Sequence, residues 1–232
     1  MDPKTRDTIH IGINFIVNPT PTVDLQSYIK FQQSLIEQRI HFSRSEREPS
    51  IVVIREKPAP LEVKVGTVSG SPLGQLLIVA PYPGCDFMLF GVDAESVVEA
   101  FEATWPAEKR QIISSDATFR DLYLTSSEHA FQELWEMLLK QSSQMLAGLG
   151  RPVLGGGLRF VMPPQPGDSE PVQIELKIES FLRDTQKVFV ETQFKWPQPL
   201  PPGAPLDPRN RLEQVNEYIE SKVIPFIMGE SR

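Results

Sequence analysis

Hydrophobic and polar residues alternate most regularly between Pro171 and Pro197. Val172, Ile174, Leu176, Ile178, Ser180 and Leu182 fall on one side, and Gln173, Glu175, Lys177 and Glu179 on the other. After the polar break Arg183-Asp184-Thr185 the alternation resumes, with Val188, Val190, Thr192, Phe194 and Trp196 against Glu191, Gln193 and Lys195. A period of two sustained this long predicts strands with one buried and one wet face. Folding the chain at Asp184 predicts a hairpin in which Ile178 faces Val190, Leu176 faces Thr192, Ile174 faces Phe194 and Val172 faces Trp196. The same register sets Lys177 opposite Glu191 on the polar face. A slip of one residue would turn the whole apolar face to water, so the register is well determined.

The rest of the chain reads as a succession of shorter elements. Ile9, Ile11, Ile13 and Phe15 alternate with polar residues in a first strand over 8–17, closed by Asn18-Pro19. Asp24 is a good helix N-cap, and Leu25, Tyr28, Ile29, Leu35, Ile36 and Ile40 follow at helical spacing, with Phe31 off the stripe. Three strands are expected over 51–56, 61–68 and 75–80, and a short one over 87–90, punctuated by proline and glycine turns. Asp93 caps an expected helix with the stripe Ala94, Val97, Val98, Phe101 and Trp105, stopped by Pro106. The stretch 111–124 is mixed, with Phe119, Leu122 and Tyr123 facing inward. Thr125-Ser126-Ser127-Glu128 has capping-box spacing and opens the longest expected helix, to about Leu146. Val153 restarts a β segment to Met162, and a final helix begins near Pro208, with a kink or fraying at Pro225.

Runs of sequential strands closed by helices indicate an α+β fold: a largely antiparallel sheet, a long hairpin in the C-terminal half, and helices packed mainly on one face. The two halves of the chain are loosely alike, each with an early strand, a meander and a closing helix, although no repeat of fixed period supports a duplication. The glycine-rich stretch 148–157 is a candidate boundary between an N-terminal α+β half, 1–150, and a C-terminal hairpin-plus-helix half, 151–232. A single continuous domain fits the same pattern.

Composition narrows the functional classes. The 232 residues are 40% hydrophobic and 23% charged, with a formal net charge of −7. That acidic balance argues against a nucleic-acid-coating surface, which needs a basic face. The single cysteine, Cys85, cannot form an internal disulfide and fits a reducing compartment. No apolar run approaches a membrane span, and residues 1–8 carry no signal-like apolar core. A soluble cytoplasmic protein with no membrane partner is the expectation.

No constellation reaches the specificity of a catalytic signature. The glycines of 148–157 lack the order and spacing of a phosphate loop, although Arg151 could meet an anion there. Ser27-Tyr28-Ile29-Lys30 has S-x-x-K spacing without the accompanying elements of that enzyme class. His10, His41 and His129 show no zinc spacing, so neither a metal nor a cofactor is expected. Cys85 follows a Pro-Gly loop and would need a base such as His129 beside it to act as a nucleophile. Asp116, Arg120, Asp121 and Glu128 form a polar cluster ahead of the expected long helix, and the prolines of 197–208 read most simply as a stiff connector.

The leading functional expectation is a non-enzymatic protein that binds another protein or itself. Phe31, Phe181 and Phe189 fall off the apolar stripes and would form its contact patch. The alternative is a small-molecule-binding protein or enzyme with a pocket between sheet and helices and Arg120 or His129 at its rim. A nucleic-acid-associated regulator is the weakest reading.

Overall fold

The computed structural model describes residues 1–84, 86–106, 108, 110–167 and 170–229. Its strands are β1 (Asp7–Asn18), β2 (Arg44–Glu46), β3 (Ile51–Arg55), β4 (Leu61–Thr67), β5 (Gly74–Pro81), β6 (Gln111–Leu124), β7 (Gly157–Met162), β8 (Gln173–Ser180) and β9 (Lys187–Trp196). Its helices are α1 (Leu25–Glu37), α2 (Phe87–Thr104), the short α3 (Ala130–Gln132), α4 (Pro208–Tyr218) and α5 (Ile224–Met228). A π turn, Glu133–Leu138, continues α3, and another, Ile219–Val223, joins α4 to α5 just ahead of Pro225.

All nine strands form one antiparallel sheet in the order β2-β3-β4-β5-β1-β6-β9-β8-β7. The hairpin β8–β9 has the register its alternation requires: Ile174 faces Phe194, Leu176 faces Thr192, Ile178 faces Val190, and Lys177 faces Glu191. Phe194 and Trp196 are buried. The α+β architecture with a large antiparallel sheet is therefore as its pattern implies.

The likeness of the halves is topological. β1-α1-β3-β4-β5-α2 and β6-α3-β7-β8-β9-α4 each run strand, helix, three-strand meander, helix. The sheet order reads outward from the central β1–β6 pair as β5-β4-β3 on one side and β9-β8-β7 on the other. An approximate two-fold axis between β1 and β6, through the pair Ile13–Ala117, relates the two. It carries the row Ile13-Ile78-Val63-Val53 onto Ala117-Phe194-Ile174-Met162. The division between halves falls between α2 and β6, while sheet hydrogen bonding crosses it without a break.

Helices α1, α2 and α4 lie side by side, and α3 packs on β8 and β9. The core fills the space between them and the sheet, from Ile11, Phe15 and Phe119 to Leu35, Phe101 and Val215.

Local departures from the expected elements have identifiable causes. Asp24 caps α1, accepting from the Ser27 N–H at 2.7 Å, but the helix is rotated from the expected stripe. Phe31 is fully buried against Trp105, with ring centroids 5.4 Å apart, whereas Leu25, Ile29 and Ile36 face water. Burying a phenyl ring removes more apolar area from water than burying one of those smaller chains. The expectation that Phe31 forms a contact patch is therefore corrected. α2 starts at Phe87 under Asp86, so 87–90 is helix rather than strand, and Asp93 sits inside the helix as the ion partner of Arg55. The mixed stretch 111–124 is one long central strand, β6.

The expected long helix over 125–146 is replaced by α3, its π turn and a 3-10 segment, Ser143–Leu149. Thr125 is tied to the Gln186 carbonyl through both its N–H and its hydroxyl rather than opening a helix. Glu133 instead accepts from the N–H groups of Ser126 and Ser127 and from the N-terminal amine.

Candidate functional site

Three polar or half-open regions stand out, and the period-two geometry of the sheet distributes the candidate residues among them. Asp116, Arg120 and Asp121 are neighbours in sequence, but alternation in β6 sends Asp116 and Arg120 to the face away from the core and Asp121 into the core side. They do not form the single cluster expected.

The face away from the core is a network of side chains crossing six strands. Gln75 donates to Asn14 at 2.9 Å, Asn14 to Asp116 at 2.9 Å, and Gln193 to the other oxygen of Asp116 at 3.4 Å. In the neighbouring row Arg120 Nε donates to Glu191 at 2.6 Å, and Lys177 takes the second Glu191 oxygen. Glu175 is bracketed by Arg159 at 2.9 Å, Lys177 at 3.5 Å and Lys195 at 3.8 Å. Long cationic side chains lying over Glu175 and Glu191 bury both carboxylates on the face away from the core. Burial pushes the Glu191 carboxyl up, but hydrogen bonds from Lys177 and Arg120 outweigh it and hold the group below the usual carboxylate range.

His10 lies over Gly12, where an added Cβ would stand 3.1 Å from its Nε2. Burial, with the Arg120 guanidinium beside it, pushes the His10 imidazole down to about 4. Arg120 is therefore a partner of Glu191 rather than a free anion-binding group. Phe189 is half-buried on this face opposite Leu122, and Phe181 is half-buried where the hairpin turns.

The second region is buried at the lower end of β1. Arg6 Nε sits 3.1 Å from Asp121, Thr8 donates to the same Asp121 oxygen at 2.6 Å, and Arg6 also donates to Asn216 at 2.9 Å. Asp121 is 1% exposed. Burial pushes its carboxyl up despite Arg6, and burial with the Asp121 charge pushes the Tyr123 phenol up as well. Among the described residues the second Asp121 oxygen and the Tyr123 hydroxyl have no hydrogen-bond partner. This cluster was legible in principle: Ala117, Phe119, Asp121 and Tyr123 occupy successive inward positions, and a charge on a buried stripe demands a partner.

The third region brings together two candidates that are distant in sequence. His129 caps α3, its Nδ1 accepting from the Phe131 N–H at 3.3 Å, so the neutral ring carries its proton on Nε2. A groove of about 770 Å³ runs from His129 past the near-parallel rings of Phe131 and Trp135 to Arg151 and Val153. Arg151 is exposed and enters no ion pair with a described residue. Met145, Leu149 and Leu154, next in sequence to the lining residues Leu146, Gly150 and Val153, and Leu182, which lies over Gly155, expose their side chains, each to 64% or more. A continuous helix over 125–146 would carry Trp135 on the same face as Phe131 and Leu138. Breaking that helix tilts the indole to the groove wall, where its N–H bonds the Ser142 carbonyl at 3.1 Å.

Arg120 lies away from this groove, on the far side of the sheet, and Cys85 lies outside the described residues. Among the described residues no three His, Cys, Asp or Glu side chains gather as a metal site would require, and no described helix is long and apolar enough to cross a membrane. The chain matches no family model, and no curated protein matches it at a significant level.

Proposed function

We propose that this protein acts by binding another protein, and that the groove between α3 and the segment leading to β7 is its contact surface. One observation carries the reading: Met145, Leu149 and Leu154, each next in sequence to a residue lining a groove walled by Phe131 and Trp135, are well exposed. Isolated exposed apolar residues need no explanation, but a cluster around an aromatic groove marks an interaction site. Arg151, without an acidic partner of its own, and the His129 Nε2–H favour a partner segment that places a carboxylate beside its apolar residues. The buried polar pairs elsewhere are enclosed or internally paired, which supports binding over turnover.

Peptide-display enrichment on immobilised protein tests the proposal. Wild type is expected to enrich apolar sequences with an acidic residue, and Trp135→Ala and Arg151→Glu to lose that enrichment while keeping the wild-type melting temperature. A protein that stays monomeric on sizing with light scattering and enriches no sequence would defeat it.

A further inference from the structure

β7 ends the sheet, with no described strand on its outer side. Its hydrogen-bond phase is set by Gly156, whose carbonyl accepts from the Ser180 N–H at 3.0 Å and whose N–H donates to the Ser180 hydroxyl at 3.0 Å. In an antiparallel ladder inward- and outward-bonding residues alternate. Leu158, Phe160 and Met162 therefore bond to β8, while Gly157, Arg159 and Val161 turn their N–H and C=O groups outward. Gly157 is held tight: any Cβ there would strike the Ile178 carbonyl and Glu179.

Directly beside this edge, on the helix side, the sheet and the last helix meet at Phe160 and Phe226, ring centroids 5.6 Å apart, and at Met162 and Tyr218, and leave a gap beside these contacts. The gap is a groove of about 530 Å³, walled by Phe160, Met162 and Leu176 from the sheet and by Tyr218, Val223 and Phe226 from the helix. The charged residues in its lining, Arg159 and Lys222, are both cationic. On the opposite face the one charge of β7 itself is Arg159, whose side chain is 63% exposed beside Glu175.

From this geometry we infer that β7 accepts an extended segment of a partner protein as a tenth strand, one in which apolar and acidic residues alternate. Main-chain hydrogen bonds to Gly157, Arg159 and Val161 hold the segment, and its period-two side chains divide between two surfaces. Those on the helix side enter the apolar groove. Those on the other side meet Arg159, the one charge on β7, so carboxylates belong there. This surface is separate from the Arg151 groove, and neither reading depends on the other.

The test uses a short, terminally blocked, fluorescein-labelled peptide alternating valine and glutamate, and an isomer of the same composition with its residues sorted into blocks. The alternating peptide is expected to bind saturably and to slow hydrogen exchange at the Gly157, Arg159 and Val161 amides. The block isomer should bind at least about tenfold more weakly, because its apolar groups cannot all face one side. Val161→Pro removes an outward N–H at an edge position where proline is tolerated, and should weaken binding by a similar factor. Lys222→Glu, on an exposed side chain, should weaken it several-fold and without folding risk. No binding to wild type, equal binding of the block isomer, or indifference to both variants overturns the inference. So does a concentration-dependent dimer that Val161→Pro dissolves, because the edge would then serve a second copy of this chain.

Discussion

The two halves of the sheet are built to one plan and finished differently. On one side the outermost strand of the meander, β3, is covered by β2, a strand of three residues, Arg44-Ser45-Glu46, that runs on into Arg47 and Glu48. On the other side its counterpart β7 is six residues long, has one charge and carries no further strand. Short, charged edge strands resist pairing with other chains, whereas longer, flatter apolar ones invite it. The helices repeat the contrast. α1 is a full-length helix packed on α2, while α3 breaks after three residues into a π turn and leaves an open groove. One half is sealed at its margin and the other is left open at both its strand and its helix.

The largest effects should be equal across the two-fold axis. Ile78 and Phe194 are matched positions in the central rows and both are buried. Ile78→Ala and Phe194→Ala should each destabilise by about 3–5 kcal/mol, the range for deleting a large buried side chain, as measured by urea unfolding. A much smaller loss at either one would break the equivalence. Towards the margin the halves should diverge. Val53 is 1% exposed, because β2 and the helices enclose it, whereas its counterpart Met162 is half-buried beside the open groove. Val53→Ala should cost about 1.5–2.5 kcal/mol and Met162→Ala under about 1 kcal/mol, since a wall that already borders water leaves less of a cavity behind.

How far the sequence revealed these features follows from how local each signal is. The β8–β9 register was readable because every position in it alternates and one charge pair, Lys177–Glu191, confirms the phase. β6 was obscured because Asp116, Arg120 and Asp121 interrupt its alternation, and only their partners on β1, β9 and the N-terminal segment make those charges affordable in a strand. The end of α1 stripe-reading at Phe31 and the break of α3 were equally non-local. Trp105 draws Phe31 inward from another helix, and Glu133 is claimed by the N-terminal amine, 132 residues away in the chain. Of the candidate binding residues, His129 and Arg151 were legible as polar groups at element ends, but their shared groove depends on a helix that local sequence predicts to be continuous.

Beside the axis, His10 and Arg120 are cross-strand partners, and two adjacent cations there would repel. The imidazole gives way. Its folded value of about 4 lies below the ordinary value of 6.5, so between those limits the unfolded chain binds more protons than the folded one. The associated stability is complete above about pH 6.5 and is lost as pH falls towards 4. Asp116 works in the opposite sense: burial raises its carboxyl, so its contribution favours the folded state at acid pH and is lost as pH rises through its folded value. His10→Asn should flatten the decline between pH 6.5 and 4 in denaturation midpoints. A nuclear magnetic resonance titration of His10 should centre near 4, and an ordinary midpoint would mean that its ring does not pack over Gly12 beside Arg120.

The smallest effect separates the two ways in which the β2 margin could be closed. Charge and shortness both deter pairing, and Arg44→Val with Glu46→Val removes the first while leaving the second. Both side chains are exposed, and their mutual salt bridge is of the surface kind, so folding stability should move by no more than about 0.5 kcal/mol. Association is the sensitive readout. If charge is the guard, the double variant should self-associate in light scattering as concentration rises, and β2 will then resemble the open β7 margin. If it remains monomeric, three residues are too few to template another strand whatever their chemistry. The difference between the margins would then lie in strand length, and β7, twice as long, would be open for that reason before its composition is considered.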